Sequence, residues 1–329
     1  MEDFNFKNLN ILVTGGAGFI GSNLCDFLVQ LGCKNVVCLD NFSTGCKKNI
    51  KHLLSKTNFN LIEGDIRNIS DCNKACRDID YVLHQAALGS VPRSVKDPIT
   101  TNDVNISGFL NMLIACRDNH IKRFIFAASS STYGDSNFLP KIEEKIGNPL
   151  SPYAITKYVN ELYAKIFNDL YGLEYIGLRY FNVFGRKQDA NSTYAAVIPK
   201  FIKKFINHES PVINGDGSFS RDFTYIDDII EINILSIIVQ NKSAINNIYN
   251  AACGERTSLL DLSNYLKEIL KEYDKNIEKI EIIHGPEREG DIPHSLASIE
   301  KAKNNLNYFP KYNLKEGLKE SINWYFKNL

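Results

Sequence analysis

The chain has 329 residues, 44% of them hydrophobic and 23% charged, with 38 Lys+Arg set against 38 Asp+Glu. That length carries one large α/β unit or two domains sharing a cleft. The even charge excludes a global pull toward nucleic acid or an anionic membrane and leaves room only for a local basic pocket. Residues 1–10 are neither basic nor apolar enough for a signal peptide. The longest apolar stretches, such as 229–239, are too short and too interrupted to span a bilayer. The eight cysteines (25, 33, 38, 46, 72, 76, 116, 253) form no Cys-x-x-Cys, and several fall inside predicted elements. They read as buried free thiols of a reducing compartment, the cytoplasm, with no metal site.

In chain order, residues 9–14 form a short β-branched run, Gly-Gly-Ala-Gly-Phe-Ile-Gly follows at 15–21, and 22–31 reads as a helix. A strand, a glycine turn and a helix start make the dinucleotide-binding fingerprint. Gly15 permits the tight turn, Gly18 lets a pyrophosphate approach the backbone, and Gly21 lets helix pack on strand. The stretch holding Gly15, Ala17, Gly18, Phe19, Ile20 and Gly21 is therefore the candidate phosphate cradle, with free amides at the helix start. The predicted strand 35–40 ends in Asp40, ahead of Asn41. An acid there accepts hydrogen bonds from the adenosine ribose and repels a 2′-phosphate, which favours NAD over NADP. A plain turn residue is the other reading of Asp40.

Strand 59–66, helix 70–77 and strand 81–84 come next. Asp65 and Ile66 close the first of these where an adenine would lie, and Gln85, Ala86 and Ala87 follow the last, where a cofactor would approach closely. Helix 103–119 precedes strand 123–128, and helix 152–171 precedes strand 175–179. Such alternation predicts an α/β fold with a doubly wound parallel sheet and its site at the C-terminal strand ends. Short segments prevail from 183 to 225. Helix 227–240 and strand 247–251 read as a return to the sheet, before helices at 258–272 and 313–327. The expected organisation is a Rossmann domain over 1–183, rejoined by 226–253, and a smaller discontinuous α/β domain over 184–225 and 254–329.

The chemistry is expected at Ser151-Pro-Tyr-Ala-Ile-Thr-Lys157. Ser151 suits a cap and Pro152 a first helical position. Tyr153 and Lys157, four apart, share a helical face. A cationic Lys there favours the phenolate of its neighbour and lowers a pKa normally about 10. Such a Tyr can take a proton from a sugar hydroxyl while hydride leaves the same carbon. Taken alone, Tyr-x-x-x-Lys is also common on half-exposed helices. Strand 123–128, however, runs into Ser129, Ser130 and Ser131, whose hydroxyls can line the same cleft.

The glycine turn, the Ser/Thr run with Tyr133-Gly134, the Ser-Pro-Tyr-Ala-x-x-Lys segment and Arg179-Tyr-Phe-Asn-Val-Phe-Gly185 together resemble the extended short-chain dehydrogenases acting on nucleotide sugars. The match is collinear from about residue 9 to 325. It is closest to the bacterial UDP-N-acetylglucosamine 4-epimerases, down to the segments 84–94 and 194–200. The resemblance implies Ser129 as the catalytic hydroxyl, Tyr153 as acid/base and Lys157 as the residue holding the nicotinamide ribose, with Tyr180 also at the cofactor. It places Asn182, Lys200, Asn214, Arg221 and Arg288 around the UDP, where guanidinium forks suit a diphosphate. Ser90, Arg93, Ser130, Ala196 and Val197 would shape the sugar side. The family's 4,6-dehydratases carry an Asp-Glu pair after the catalytic Ser/Thr, and its decarboxylases a Glu; Ser130 and Ser131 here favour epimerisation. Ser295 falls where glucose-only epimerases have a Tyr, which leaves room for a 2-acetamido group. The expected partner is thus a UDP-N-acetylhexosamine, with tightly held NAD and a homodimer through helices 103–119 and 152–171. A UDP-uronic acid 4-epimerase and a non-catalytic nucleotide-sugar or NAD sensor are the alternatives.

Overall fold

The computed structural model describes residues 4–192, 194–287 and 292–328. Seven parallel strands make the main sheet: β1 Asn10–Thr14, β2 Asn35–Asp40, β3 Phe59–Glu63, β4 Tyr81–His84, β5 Arg123–Ser129, β6 Tyr175–Tyr180 and β7 Asn247–Ala251. Their spatial order is β3-β2-β1-β4-β5-β6-β7. The strand side chains alternate between two cores, as a period of two requires. Ile11, Val13, Val36, Cys38, Leu83, Ile125 and Ile176 enter one core, and Leu12, Val37, Leu39, Val82, Phe124 and Phe126 the other. Both faces are covered, which is why these strands read as nearly continuous apolar runs.

The helices used below are α1 Phe19–Gln30, α2 Ile69–Cys76, α3 Gly108–Asp118, α4 Pro152–Tyr171, α5 Val197–Ile206, α6 Ile226–Ile238, α7 Leu259–Leu270 and α8 Leu314–Asn328. α1 starts three residues earlier than expected. Gly18, extended at φ −75° and ψ −178°, is its cap, so the last glycine of the turn lies inside the first helical turn. β3 stops at Glu63 instead of 66, because the Asp65 amide leaves the ladder and donates to Asp71 Oδ2 at 2.9 Å. The helix expected over 103–119 is a longer run: Pro98–Asn102, a π turn at Asp103–Ser107, then α3. α5 was not anticipated, although Ile198, Phe201, Ile202 and Phe205 bury one face of it and Lys200 and Lys204 sit on the other.

Beyond the C-terminal ends of the sheet lie three two-stranded ribbons: Val183–Phe184 with Thr224–Tyr225, Ser220–Arg221 with Thr257–Ser258, and Val212–Asn214 with Ile283–Gly285. All eight cysteines are free thiols; six are buried, Cys253 is half-buried and Cys46 is exposed. Among the described residues no helix is long and apolar enough to cross a membrane, and no cluster of three or more His, Cys, Asp or Glu is placed to hold a metal ion.

Candidate active site

A cleft of about 420 Å³ opens at the C-terminal ends of β1, β2, β4, β5 and β6. Its floor is the glycine turn. Gly15 adopts φ +65°, and a Cβ there would lie 2.8 Å from the Ala86 backbone. A Cβ on Gly21 would lie 2.2 Å from Gly15 O, so the helix can approach the strand only without one. Phe19 and Ile20 line the cleft at the start of α1, where first-turn amides have no carbonyl one turn back. These features fit a dinucleotide pyrophosphate.

Of the predicted cofactor residues, Gly15, Gly18, Phe19, Ile20, Gly21, Asp40, Asn41, Asp65, Ile66, Gln85, Ala86, Ala87, Tyr153, Lys157 and Tyr180 all border this cleft. Ala17 does not: it is fully buried, and its amide donates to Asp40 Oδ2 at 2.9 Å. The other Asp40 oxygen accepts from the Phe42 amide at 2.8 Å. Burial raises the Asp40 pKa, and these two amides oppose the rise. A carboxylate has about four lone-pair sites, so capacity for ribose hydroxyls remains. Asn41 Nδ2 donates to Asp65 Oδ2 at 2.8 Å, and the Arg67 guanidinium holds the Asp65 carboxyl at about 2. Across the cleft the Tyr180 hydroxyl donates to Gln85 Oε1 at 3.1 Å and accepts from Asn233 Nδ2 at 2.9 Å.

The catalytic candidates come together. Ser151 Oγ caps α4 through the Ala154 amide at 3.1 Å, and Pro152 opens the helix. Tyr153, one residue on, lies beside Ser129 at the end of β5, and both border the cleft. Ser131 Oγ donates to Ser129 Oγ at 2.9 Å. Lys157 is 4% exposed and its Nζ donates to Ala127 O at 2.7 Å. This corrects the expected electrostatics. Burial raises the Tyr153 pKa, opposed only by the neighbouring Ser129 hydroxyl. Burial also lowers Lys157 to about 8, opposed by the charge of Glu161. The ammonium is committed to a strand carbonyl in this state, and desolvation outweighs any help it gives the phenolate.

The substrate candidates are more dispersed. Ser129, Tyr153 and Asn182 border the cleft. Asn182, at φ +24°, donates from Nδ2 to Asp222 O at 3.2 Å. Ser130 begins a 3-10 turn, and Ser90 caps the helix Val91–Lys96. Arg93 lies over the Tyr194 ring at 5.0 Å. Ala196 and Val197 form the start of α5, and Lys200 borders a separate cleft of about 350 Å³ with Ala190 and Asn207. Asn214 is exposed at the end of its ribbon. Arg221 Nη1 donates to Ser220 O and Pro293 O at 3.0 and 3.2 Å, and the Ser295 amide donates to the same Ser220 O at 3.0 Å. Ser295 is half-buried beside Arg221. Arg288 lies outside the described residues.

Three supports of the site went unread in the sequence. Thr14 Oγ1 accepts from the Ala86 amide at 3.2 Å and meets His84 Nδ1 at 2.8 Å. Asn105, in the π turn, accepts from Leu88 N and donates to Thr156 Oγ1, while Asn160 Nδ2 donates to Asn105 O at 2.7 Å. Arg179 makes a two-pronged ion pair with Glu161, at 2.8 Å on each oxygen. A polar residue inside a helical or strand pattern was the only signal each offered.

Residues 11–252 match the NAD dependent epimerase/dehydratase family. The chain is 42% identical to the UDP-N-acetylglucosamine 4-epimerase of Methanobrevibacter ruminantium M1, solved in complex with UDP-N-acetylmuramic acid; the match covers 98% of this chain and 100% of that one, with a TM-score of 0.91. It is 36% identical to the UDP-glucose 4-epimerase of Thermotoga maritima solved with UDP-glucose, covering 97% and 99% at a TM-score of 0.88. It is 31% identical to the UDP-glucuronic acid 4-epimerase of Bacillus cereus in complex with UDP-glucuronic acid and NAD, covering 98% and 100% at a TM-score of 0.87. With residues 11–252 matched by the family and the fold shared over 98% of the chain, the chain belongs to the NAD-dependent epimerase/dehydratase family.

Proposed function

We propose that this NAD-dependent nucleotide-sugar 4-epimerase interconverts UDP-N-acetylglucosamine and UDP-N-acetylgalactosamine, with weaker use of UDP-glucose and UDP-galactose. The observation that carries the reading is the meeting of Tyr153, Ser129 and Lys157 at one cleft wall, with hydroxyls and no carboxylate directly after Ser129. Bound NAD supplies the acceptor and later the donor for the C4 hydride. Tyr153 takes the O4 proton and returns it, with the Ser129 hydroxyl beside it to orient O4 and relay the proton. Ser131 orients the Ser129 hydroxyl. Lys157, anchored on Ala127 O, has donors left for ribose hydroxyls. With no acid beside Ser129 to remove a C5 proton, the 4-keto hexose is left to turn over and be reduced on its other face.

The acetamido preference rests on Ser295, a small side chain beside Arg221 and Ser220. The Methanobrevibacter enzyme, a UDP-N-acetylglucosamine 4-epimerase, supports it. Purified protein incubated with UDP-N-acetylglucosamine, without added cofactor, should yield UDP-N-acetylgalactosamine by NMR or ion-pair chromatography. Ser295→Tyr should abolish that turnover and spare UDP-glucose. If both substrates fall equally, the open-pocket reading is wrong. Turnover of UDP-glucuronic acid alone would favour the second reading, which the Bacillus cereus enzyme supports.

A further inference from the structure

Asp222 is fully buried between the cleft and the segment that carries Ser295. It directly follows the ribbon strand Ser220–Arg221. Its carboxylate is spent on backbone amides. Oδ1 accepts from Cys253 N at 3.0 Å, and Oδ2 accepts from Gly254 N at 3.0 Å and from Ala297 N at 3.2 Å. Its own carbonyl accepts from Nδ2 of Asn182, which borders the cleft. One residue thus ties together the cleft, the chain just beyond β7 and the segment 293–298. A buried carboxylate costs free energy unless it is hydrogen-bonded, and three charge-assisted bonds both offset that cost and fix its position.

The segment 293–298 is held along both edges. On one, the Ser220 amide donates to Pro293 O and the Ser295 amide to Ser220 O, each at 3.0 Å, and His294 Nδ1 meets Ser220 Oγ at 2.9 Å. On the other, the Lys141 amide donates to Leu296 O at 2.7 Å and the Ser298 amide to Lys141 O at 2.9 Å. Along the first edge the Asp222 carbonyl is turned to Asn182, and the Asp222 side chain takes over by meeting the Ala297 amide. Ala297 lies two residues past Ser295, and in an extended segment such residues share a face. A displacement at Ala297 is therefore carried into Ser295.

We propose that Asp222 is a positioning residue for sugar selection: it fixes the segment 293–298 and so sets the space that Ser295 leaves at the C2 substituent. The inference rests on the reading of Ser295 as the residue facing that substituent. Arg221 is the residue before Asp222, and its Nη1 donates to Pro293 O at 3.2 Å. The group proposed at the diphosphate and the group proposed at the sugar therefore hang on the same stretch of backbone.

The test uses the full chain and Asp222→Asn, which keeps the shape and replaces one acceptor oxygen with a donor. The new NH2 faces a backbone N–H, so at least one of the three bonds is lost. kcat and KM are measured with UDP-N-acetylglucosamine and with UDP-glucose, and bound NAD is read from the 260/280 nm ratio. The expected result is that kcat/KM for the acetylated sugar falls about tenfold relative to UDP-glucose, through KM, with kcat and bound NAD little changed. Equal losses on both sugars, or no loss on either, in a folded variant overturn the proposal and leave Asp222 structural. Should Asp222→Asn not fold, Ala297→Pro decides, because it removes one donor and leaves the carboxylate its bonds from Cys253 and Gly254. The ratio should move in the same direction, and an unmoved ratio overturns the proposal. Ser295→Tyr separates the two readings. If it spares turnover of UDP-N-acetylglucosamine, the reading of Ser295 has failed and the proposal falls with it. If it abolishes that turnover while Asp222→Asn leaves the ratio unmoved, the proposal alone has failed.

Discussion

His84 shows what one side chain does beneath a cofactor cleft. Its ring is 3% exposed, packed at 5.4 Å from Phe109 and 5.3 Å from Phe124, and its Nδ1 meets the Thr14 hydroxyl. That hydroxyl accepts the Ala86 amide and so has its proton free for the ring, which suits a neutral imidazole protonated on Nε2. Burial pushes His84 from 6.5 to about 3. Between those values the unfolded chain binds the extra proton, so stability rises with pH there. The contribution is complete above pH 6.5 and is lost as pH falls toward 3. His84→Gln should lack this slope. Its stability deficit against the wild type in urea should shrink by about 2 kcal/mol between pH 7 and pH 5. An equal deficit at both pH values would mean that the ring titrates normally.

At the scale of elements, the decisive junction is the β1 turn against the start of α1. Gly21 sits where a Cβ would overlap Gly15 O, and no flexible side chain is there to yield. Gly21→Ala should therefore leave the sheet intact by circular dichroism and lose bound NAD, read as a lower 260/280 nm ratio of the purified protein. Retention of NAD would show that the helix can pivot away from the strand. This junction was legible in the sequence because its chemistry is local: three glycines, a strand before and a helix after. α4 was legible for the same reason, with Ser151 and Pro152 written into adjacent positions. The π turn at Asp103–Ser107 was not. It presents Asn105 to Leu88, 17 residues away, and to Thr156, 51 away, and no local pattern announces such a bond.

At the scale of the whole molecule, α4 buries its catalytic face and leaves the opposite one apolar. Ile155, Leu162, Ile166 and Leu170 are each about half or more exposed, at spacings that line up on one side. Val91, Val95 and Ile99, on the adjoining helices, extend the exposed apolar surface. We propose that a second copy of the chain covers this surface. The helices expected from the sequence are α4 and the 103–119 run packed beside it, where α3 leaves Leu110 and Ile114 half-buried. Light scattering should give twice 37.2 kDa for the wild type, and Leu162→Glu/Leu170→Glu should give a monomer. A monomeric wild type at micromolar concentration would remove the proposal.

The sequence by itself determined the parallel sheet, the glycine cradle and the Tyr153–Lys157 helix. Strand period, turn chemistry and helix caps act over a few residues, and each is written where it acts. Only the tertiary structure decided where the charges point. It turned Asp40 onto the Ala17 and Phe42 amides, seated Lys157 on a carbonyl of β5, and joined Glu161 to an arginine on the neighbouring strand. Those outcomes depend on which groups lose water together, and desolvation is a property of the packed neighbourhood that residues distant in the chain create.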